Sequence, residues 1–350
     1  MYEGRLKIER VRVLLEPDLT DEREAEGILN PAVAGSYLLY RAVGRGNYSR
    51  IMAAELMTEE TKEGTQILAK RLGRVVLEPE ESYEQVDEKH GGVEDPRVTE
   101  LADRYYVMFY TGYGKPEGFS EQAPVVAVAT SRNGLDWQRH GRIRFTQYDH
   151  NGRTIDFNII PNKDTVLFSE KVNNRYALLH RPMLTREQAA EFQLPWRAIW
   201  YAESDSLTGP WDNHKLVLAP RYGWEHGGVG AGVPPIHLND VWLHVYHGFA
   251  LPSDVRPYRR YSAGVFMTPH SDLSQVIFRT KYSLLEPSIP AEQEGAVPHV
   301  VFPTAVWQQN TESNNLALFW GAADTRIMWG TLHLPSEARK PYANMSHDHD

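Results

Sequence analysis

The sequence predicts an all-β chain folded as a five-bladed β-propeller, and three observations carry that expectation. Five short apolar runs recur along the chain, SYLLYR, YVMFYT, YALLHR, WLHVYH and LALFWG. Their ring residues, Tyr40, Tyr110, His180, Tyr246 and Trp320, stand 70, 70, 66 and 74 residues apart by subtraction. Self-similarity at a fixed period marks a repeat architecture. Turn signals follow the runs, and the 22 prolines and 26 glycines are spread along the chain, breaking helices and punctuating short strands.

Each run is apolar, rich in aromatics and only a few residues long, which reads as a strand. A second strand and a turn follow in VAVATSRNGLDWQRHGRIRF, AIWYAESDSLTGPWDNHKLVLAP and AGVFMTPHSDLSQVIFRTKYSLLEP. Asn133-Gly134 is a hairpin signal, and Ser206-Leu207-Thr208-Gly209 does the same in the next copy. Four strands used five times around an axis build a propeller; a sandwich or β-helix does not account for five copies of this length. The ring residues are expected on the innermost strands, at equivalent heights. One helix is expected, TREQAAEF at 185–192. No linker or composition shift divides the chain, so residues 1–340 read as a single catalytic propeller and 341–350 as a polar tail.

Composition narrows the function classes. With 41% hydrophobic and 24% charged residues, the 350-residue chain has material for a large core and is not a disordered type. A net charge of −9 argues against general attraction to nucleic acid or anionic membranes, so any anion site must be local. The absence of cysteine excludes disulfides and thiolate metal sites. The opening MYEGRLKIERVRVLLEP lacks the apolar core of a signal peptide, and no run approaches a membrane span, so a cytoplasmic location is expected. The terminal His347, Asp348, His349 and Asp350 read as a solvated end rather than a metal site. No metal or organic cofactor is expected, and the oligomeric state stays open.

Polar groups converge just ahead of the repeated runs. The five approaches are Leu29-Asn30-Pro31, Glu94-Asp95-Pro96-Arg97, Asn162-Lys163-Asp164, Gly232-Val233-Pro234-Pro235 and Pro298-His299-Val300. Four carry polar or ionisable groups where a structural strand would place valine or isoleucine. Asn30 or Asp95 alone reads as a turn residue before proline; repetition at equivalent positions points to a shared axial pocket. A second ring, Arg41, Arg181, His247 and Asp324, lies just past the runs. The 18 tyrosines and 9 tryptophans suit sugar binding, although aromatics also fill propeller cores.

The segments GGVEDPRVTE, KDTVLFSEKVNNRYALLHRP, GAGVPPIHLNDVWLHVYHG, GAVPHVVFPTAV and GAAD, in this order, resemble glycoside hydrolase family 130, the mannoside phosphorylases and β-mannosidases with a five-bladed propeller. The resemblance runs from about Asn30 to Trp329. It implies that Asp95 is the general acid, its proton reaching the glycosidic oxygen through a mannose hydroxyl, with inversion at the anomeric carbon. It also implies Asn30, Arg41 and Asp324 as ligands of the −1 sugar, with Tyr246 and His247 lining the pocket. Glu94, Lys163, Asp164, His180, Arg181 and His299 complete the expected substrate-binding set.

The chain departs from the phosphorylase pattern. Pro161 stands where those enzymes tend to have arginine, Gly228 where they tend to have lysine, and His299 replaces a usual asparagine. With Asp164 and Glu225 nearby, the charge around Lys163 and Arg181 looks balanced, which opposes phosphate binding. An inverting hydrolase needs a base for water, and Glu225, three residues before Gly228, is the candidate, a surface turn glutamate being the other reading. The expected function is therefore an inverting β-mannoside hydrolase acting on β-linked manno-oligosaccharides. The alternative is a β-mannoside phosphorylase, with inorganic phosphate as co-substrate and mannose 1-phosphate as product. A non-catalytic carbohydrate-binding propeller is the reading of another class, and a furanosidase is disfavoured because clear axial carboxylates appear at only two approaches.

Overall fold

The computed structural model describes residues 6–62, 64–87, 90–254, 256–308 and 315–334. Five antiparallel sheets, blades I to V, surround an axis. Blade I is Gly27–Ala34, Tyr37–Gly44, Tyr48–Thr61 and Gly64–Leu77; blade II is Val93–Leu101, Tyr105–Gly114, Ala123–Ser131 and Gln138–Arg142. Blade III is Asn162–Leu167, Tyr176–Pro182, Ile199–Ser204 and Asp212–Leu218. Blade IV runs Gly228–Ala231, Val241–Ala250, Arg260–Pro269 and Phe278–Arg279, with the short Ile236–Leu238 also pairing on its second strand. Blade V is Val301–Trp307, Asn315–Ala322 and Arg326–His333, and the N-terminal strand Lys7–Leu15 supplies its outer edge, Lys7 opposite His333. Pairing the first strand with the last repeat closes the ring and covers an edge that would otherwise be open.

The first strands of neighbouring blades pack against one another around the axis, I on II and V, and III on II and IV. The ring residues are not on these innermost strands, as the sequence suggested, but on the second strand of each blade. The reason is compositional. The second strand is buried between two partners and stays continuously apolar, so it dominates the pattern. The innermost strand is interrupted by Asn30-Pro31, Asp95-Pro96 and Lys163-Asp164 and does not look like a strand.

Five apolar clusters fill the wedges between adjacent blades, and the ring residues plug them in rotation. Tyr40 joins the cluster shared with blade V, Tyr110 that shared with blade I, Tyr246 that shared with blade III, and Trp320 that shared with blade IV. His180 stacks at 4.7 Å on Phe145 in the wedge between blades II and III. Each therefore faces the preceding blade. Because strand side chains alternate, the next residue, Arg41, Arg181 or His247, faces the other way. The 70-residue period is the period of these wedges.

The expected helix forms at Arg186–Phe192, where Thr185 and Gln188 make a capping box. Asn133 turns its hairpin by accepting the backbone N–H groups of Leu135 and Asp136. The C-terminal tail, with His347 to Asp350, lies outside the described residues. Among the described residues no helix is long and apolar enough to cross a membrane.

Candidate active site

Three innermost strands share one local device. Their pairing with the second strand slips between Leu29 and Ala32, Glu94 and Arg97, and Lys163 and Val166. Inside each bulge one residue turns left-handed, with φ of 47° at Asn30, 50° at Asp95 and 56° at Asp164. Asn and Asp tolerate this conformation better than other side-chain-bearing residues. Such bulges re-aim a side chain out of the ladder, and here the three polar groups converge.

Asp95 lies at the centre, 4% exposed. Its Oδ1 accepts Asn30 Nδ2 at 2.6 Å and Arg41 Nη1 at 3.3 Å, and its Oδ2 accepts Lys163 Nζ at 2.8 Å. Arg41 also donates to Glu94 Oε1 at 2.7 Å and to Ser49 Oγ at 2.9 Å. Blades I, II and III thus meet on one carboxylate. Burial pushes Asp95 upward, but Lys163, Arg41 and Arg97 together outweigh it and hold the group well below the usual carboxylate range. Burial raises Glu94, with Arg41 opposing and Asp95 adding to the rise.

Asp324 sits in the turn joining Asn315–Ala322 to Arg326–His333, with φ 48°. Burial raises its carboxyl to about 6; Arg41 and Lys163 pull it down, and Asp95 and Glu94 push it further up. Its field is that of the same cluster.

A second group forms between blades III and IV. Arg181 Nη2 lies 3.0 Å from Asp164 Oδ2, and His247 Nε2 lies 3.4 Å from the same oxygen. Burial keeps His247 neutral near pH 7, lowering it to about 4 despite Asp164. Gly230 makes this contact possible. A Cβ there would sit 2.3 Å from Asp164 Oδ2 and 2.5 Å from the His247 ring. His299, with φ 62°, stacks 3.7 Å from Tyr258 at the start of blade V. Phe302 closes the wall, 4.2 Å from His247 and 5.6 Å from the Arg97 guanidinium.

Sequence reasoning brought Asn30, Arg41, Glu94, Asp95, Lys163, Asp164, Arg181 and His247 to one region, and the structure places them there. It does not place His180 or Tyr246 in that pocket. His180 is fully buried among aromatics and bonds Asn162, and Tyr246 faces the wedge with blade III. Glu225 is also corrected. It is fully buried, its Oε1 accepts the N–H groups of Arg221 and Tyr222 and Nη2 of Arg279, and its Oε2 accepts the Tyr246 hydroxyl. As Tyr246 and His247 are consecutive on a strand, Glu225 lies on the face opposite His247, locked by four donors. It is buried and clasped rather than a surface turn glutamate, and its oxygens are already occupied by these donors.

Arg97, which ends the second polar approach, has no role assigned to it from the sequence. It is 1% exposed and donates to the carbonyls of Gly232, Asp95 and Pro96, tying blade II to blade IV behind the acid. Arg197 and Arg259 carried no pattern signal at all. Among the described residues no carboxylate comes within salt-bridge distance of either, whereas Lys163 and Arg181, the cations weighed in the sequence, are paired with Asp95 and Asp164. No group of three or more metal-ligating side chains occurs among the described residues.

A buried carboxylate gripped by amide, arginine and lysine thus stands at the axis of a five-bladed propeller, and its relatives make the chain a glycosidase-related enzyme. The chain belongs to glycoside hydrolase family 130, whose profile, described as β-1,4-mannooligosaccharide phosphorylase, matches residues 9–335. It is 31% identical over 331 residues to the 1,2-β-oligomannan phosphorylase of Thermoanaerobacter sp. strain X514, covering 92% of this chain and 96% of that one. It is likewise 31% identical to the β-1,2-mannobiose phosphorylase of the same strain over 327 residues, 90% of this chain and 92% of the relative. The fold is similar to that of the Listeria innocua β-1,2-mannobiose phosphorylase in complex with β-1,2-mannobiose, with a TM-score of 0.67, 23% identity, and coverage of 95% of this chain and 98% of that one.

Proposed function

We propose that this protein is an inverting β-mannoside phosphorylase acting on β-1,2-linked manno-oligosaccharides, with inorganic phosphate as co-substrate. The observation that carries this reading is the locked state of Glu225. The hydrolase expectation rested on the missing cations at Pro161 and Gly228 and on Glu225 as the base for water, and the oxygens of Glu225 already accept four donors. Phosphorolysis needs no such base, because phosphate is itself the nucleophile. The relatives that are phosphorylases of β-1,2-mannosides support the same choice.

In this reading Asn30, Arg41, Glu94 and Asp324 grip hydroxyls of the −1 mannose, while Lys163, His247 and His299 line the remainder. A phosphate oxygen bonds to C1 from the face opposite the aglycone. The C1–O bond breaks, its electron pair goes to the leaving oxygen, and that oxygen receives the proton of Asp95 relayed by a mannose hydroxyl. The products are α-mannose 1-phosphate and the shortened acceptor. Asp95 is a carboxylate while Lys163 and Arg41 hold it. To act as an acid it must be loaded as the sugar loosens those contacts and burial, which favours the neutral form, prevails.

The test is incubation with β-1,2-mannobiose with and without phosphate. Mannose 1-phosphate formed only with phosphate is expected. Free mannose at an equal rate without phosphate would return the enzyme to hydrolysis.

A further inference from the structure

Arginines and aromatic rings alternate across the junction of blades III and IV. Trp196 has the Arg186 guanidinium 4.4 Å and the Arg197 guanidinium 4.6 Å from its ring centroid. Phe249 in turn has Arg197 at 5.6 Å and Arg259 at 5.5 Å. Ring faces attract cations, and they let guanidinium groups stand together without carboxylates between them. Among the described residues Arg197 and Arg259 have no carboxylate within 4.0 Å, and Arg197 Nε is buried without a hydrogen-bond partner. Arg197 is held in place by an unusual backbone, φ 51°, and its carbonyl accepts the Val229 N–H at 3.0 Å.

The ladder abuts the axial site. Tyr261 stacks 5.1 Å from Phe249 and lies 6.2 Å from His247 and 6.1 Å from Phe302. Arg197 feels the charges of Arg181 and Arg259, both of which, with burial, disfavour its charged form. Gly228, where a lysine was expected, belongs to the same arrangement. A Cβ there would lie 2.7 Å from the Phe249 ring and 2.9 Å from Arg197 Cβ. Lysine at 228 and the ladder therefore exclude each other sterically.

We propose that Arg197 and Arg259, with Arg181 behind them, form the seat for inorganic phosphate on the blade III–IV side of the axial site. The inference rests on the phosphorylase reading and deepens it. Arg181 is matched by Asp164, which leaves two uncompensated guanidiniums for one phosphate dianion. Their planar forks suit its oxygens. The cations missing at positions 161 and 228 are replaced from two loops, one ahead of the third strand of blade III and one joining the second and third strands of blade IV.

The experiment measures KM for phosphate and for β-1,2-mannobiose in Arg197→Gln, Arg259→Gln and the corresponding lysine variants, together with calorimetric titration of each by inorganic phosphate. Arg259 is exposed, so its variants keep the fold. The expected result is a rise of about 10- to 100-fold in phosphate KM for each glutamine variant, the loss expected for one charge-assisted contact. The mannobiose KM should stay within about twofold, and the lysine variants should recover part of the affinity. Unchanged phosphate KM in both glutamine variants overturns the seat while leaving phosphorolysis standing. If the wild-type enzyme releases only mannose, the phosphorylase reading falls, and the titration decides the seat separately. Phosphate binding weakened by both substitutions supports it; absent or unaltered binding overturns it.

Discussion

Lys163 Nζ lies 2.8 Å from Asp95 Oδ2, and the two residues come from adjacent blades. Asp95 is 2% and Lys163 21% exposed in side-chain terms, so the pair is shielded on one side and open on the other. The lysine holds the proposed acid in its charged form until substrate arrives.

Replacing Lys163 with methionine should therefore raise the Asp95 pKa, since burial then meets less opposition. The descending limb of kcat against pH, which reports the acid in the substrate complex, should move to higher pH, whatever happens to the height of the profile. A profile of unchanged shape would mean that Lys163 does not govern the titrating acid.

Asp95→Asn should lower turnover by roughly the 10²–10⁴-fold characteristic of general acid catalysis. Mannose binding, followed by calorimetry, should survive because the amide still accepts from Asn30 and Arg41. Near-normal kcat would remove Asp95 from the reaction.

Glu225→Gln tests the clasp. The substitution leaves Arg279, whose side chain is 10% exposed, without its anionic partner. Breaking a buried pair in this way costs about 3 kcal/mol, so a marked fall in melting temperature is expected. The folded fraction should keep the wild-type pH profile. A fully stable variant with collapsed turnover would place Glu225 in the chemistry.

Asp324 connects function to stability. Its folded pKa, about 6, lies above the ordinary aspartate value, so the folded state binds the extra proton between about pH 4 and 6. Stability from this group is present below the unfolded value and falls as pH rises through the folded one. Asp324→Asn should thus raise stability at pH 7 to 8 by up to about 3 kcal/mol, with the gain vanishing below about pH 4. The same variant should lose sugar affinity. Equal stability of the two proteins across that range would contradict the raised value.

Gly230→Ala should drive Asp164 from His247, because the added methyl falls at 2.3 Å from the carboxylate. The cost expected for forcing a group into a packed site is about 1–3 kcal/mol, read from denaturant midpoints. An unaffected midpoint would show that the contact relaxes freely.

The propeller was legible because its period is imposed by packing. Tyr40, Tyr110, His180, Tyr246 and Trp320 fill equivalent wedges, and equivalent volumes select equivalent residue types. Asn30, Asp95 and Asp164 were legible as a group, since a polar residue recurring at one place in a repeat stands out against an apolar background. The strand that carries the ring residues is the second rather than the innermost, because proline and bulges hide the innermost strand. The burial of Glu225 was not legible, because sequence distance from Gly228 does not tell which face of a blade a side chain occupies.

Sequence by itself determined the number of blades, the recurring polar positions and the family. These are local or periodic properties, written into composition and spacing. Only the tertiary structure decided which charges remain uncompensated. Arg197 and Arg259, 62 residues apart by subtraction, meet across the Phe249 ring, and Glu225 finds its partner in Arg279 rather than in a water site. Electrostatic balance depends on distances between residues far apart in the chain. A count of nearby acids and bases in sequence cannot supply those distances.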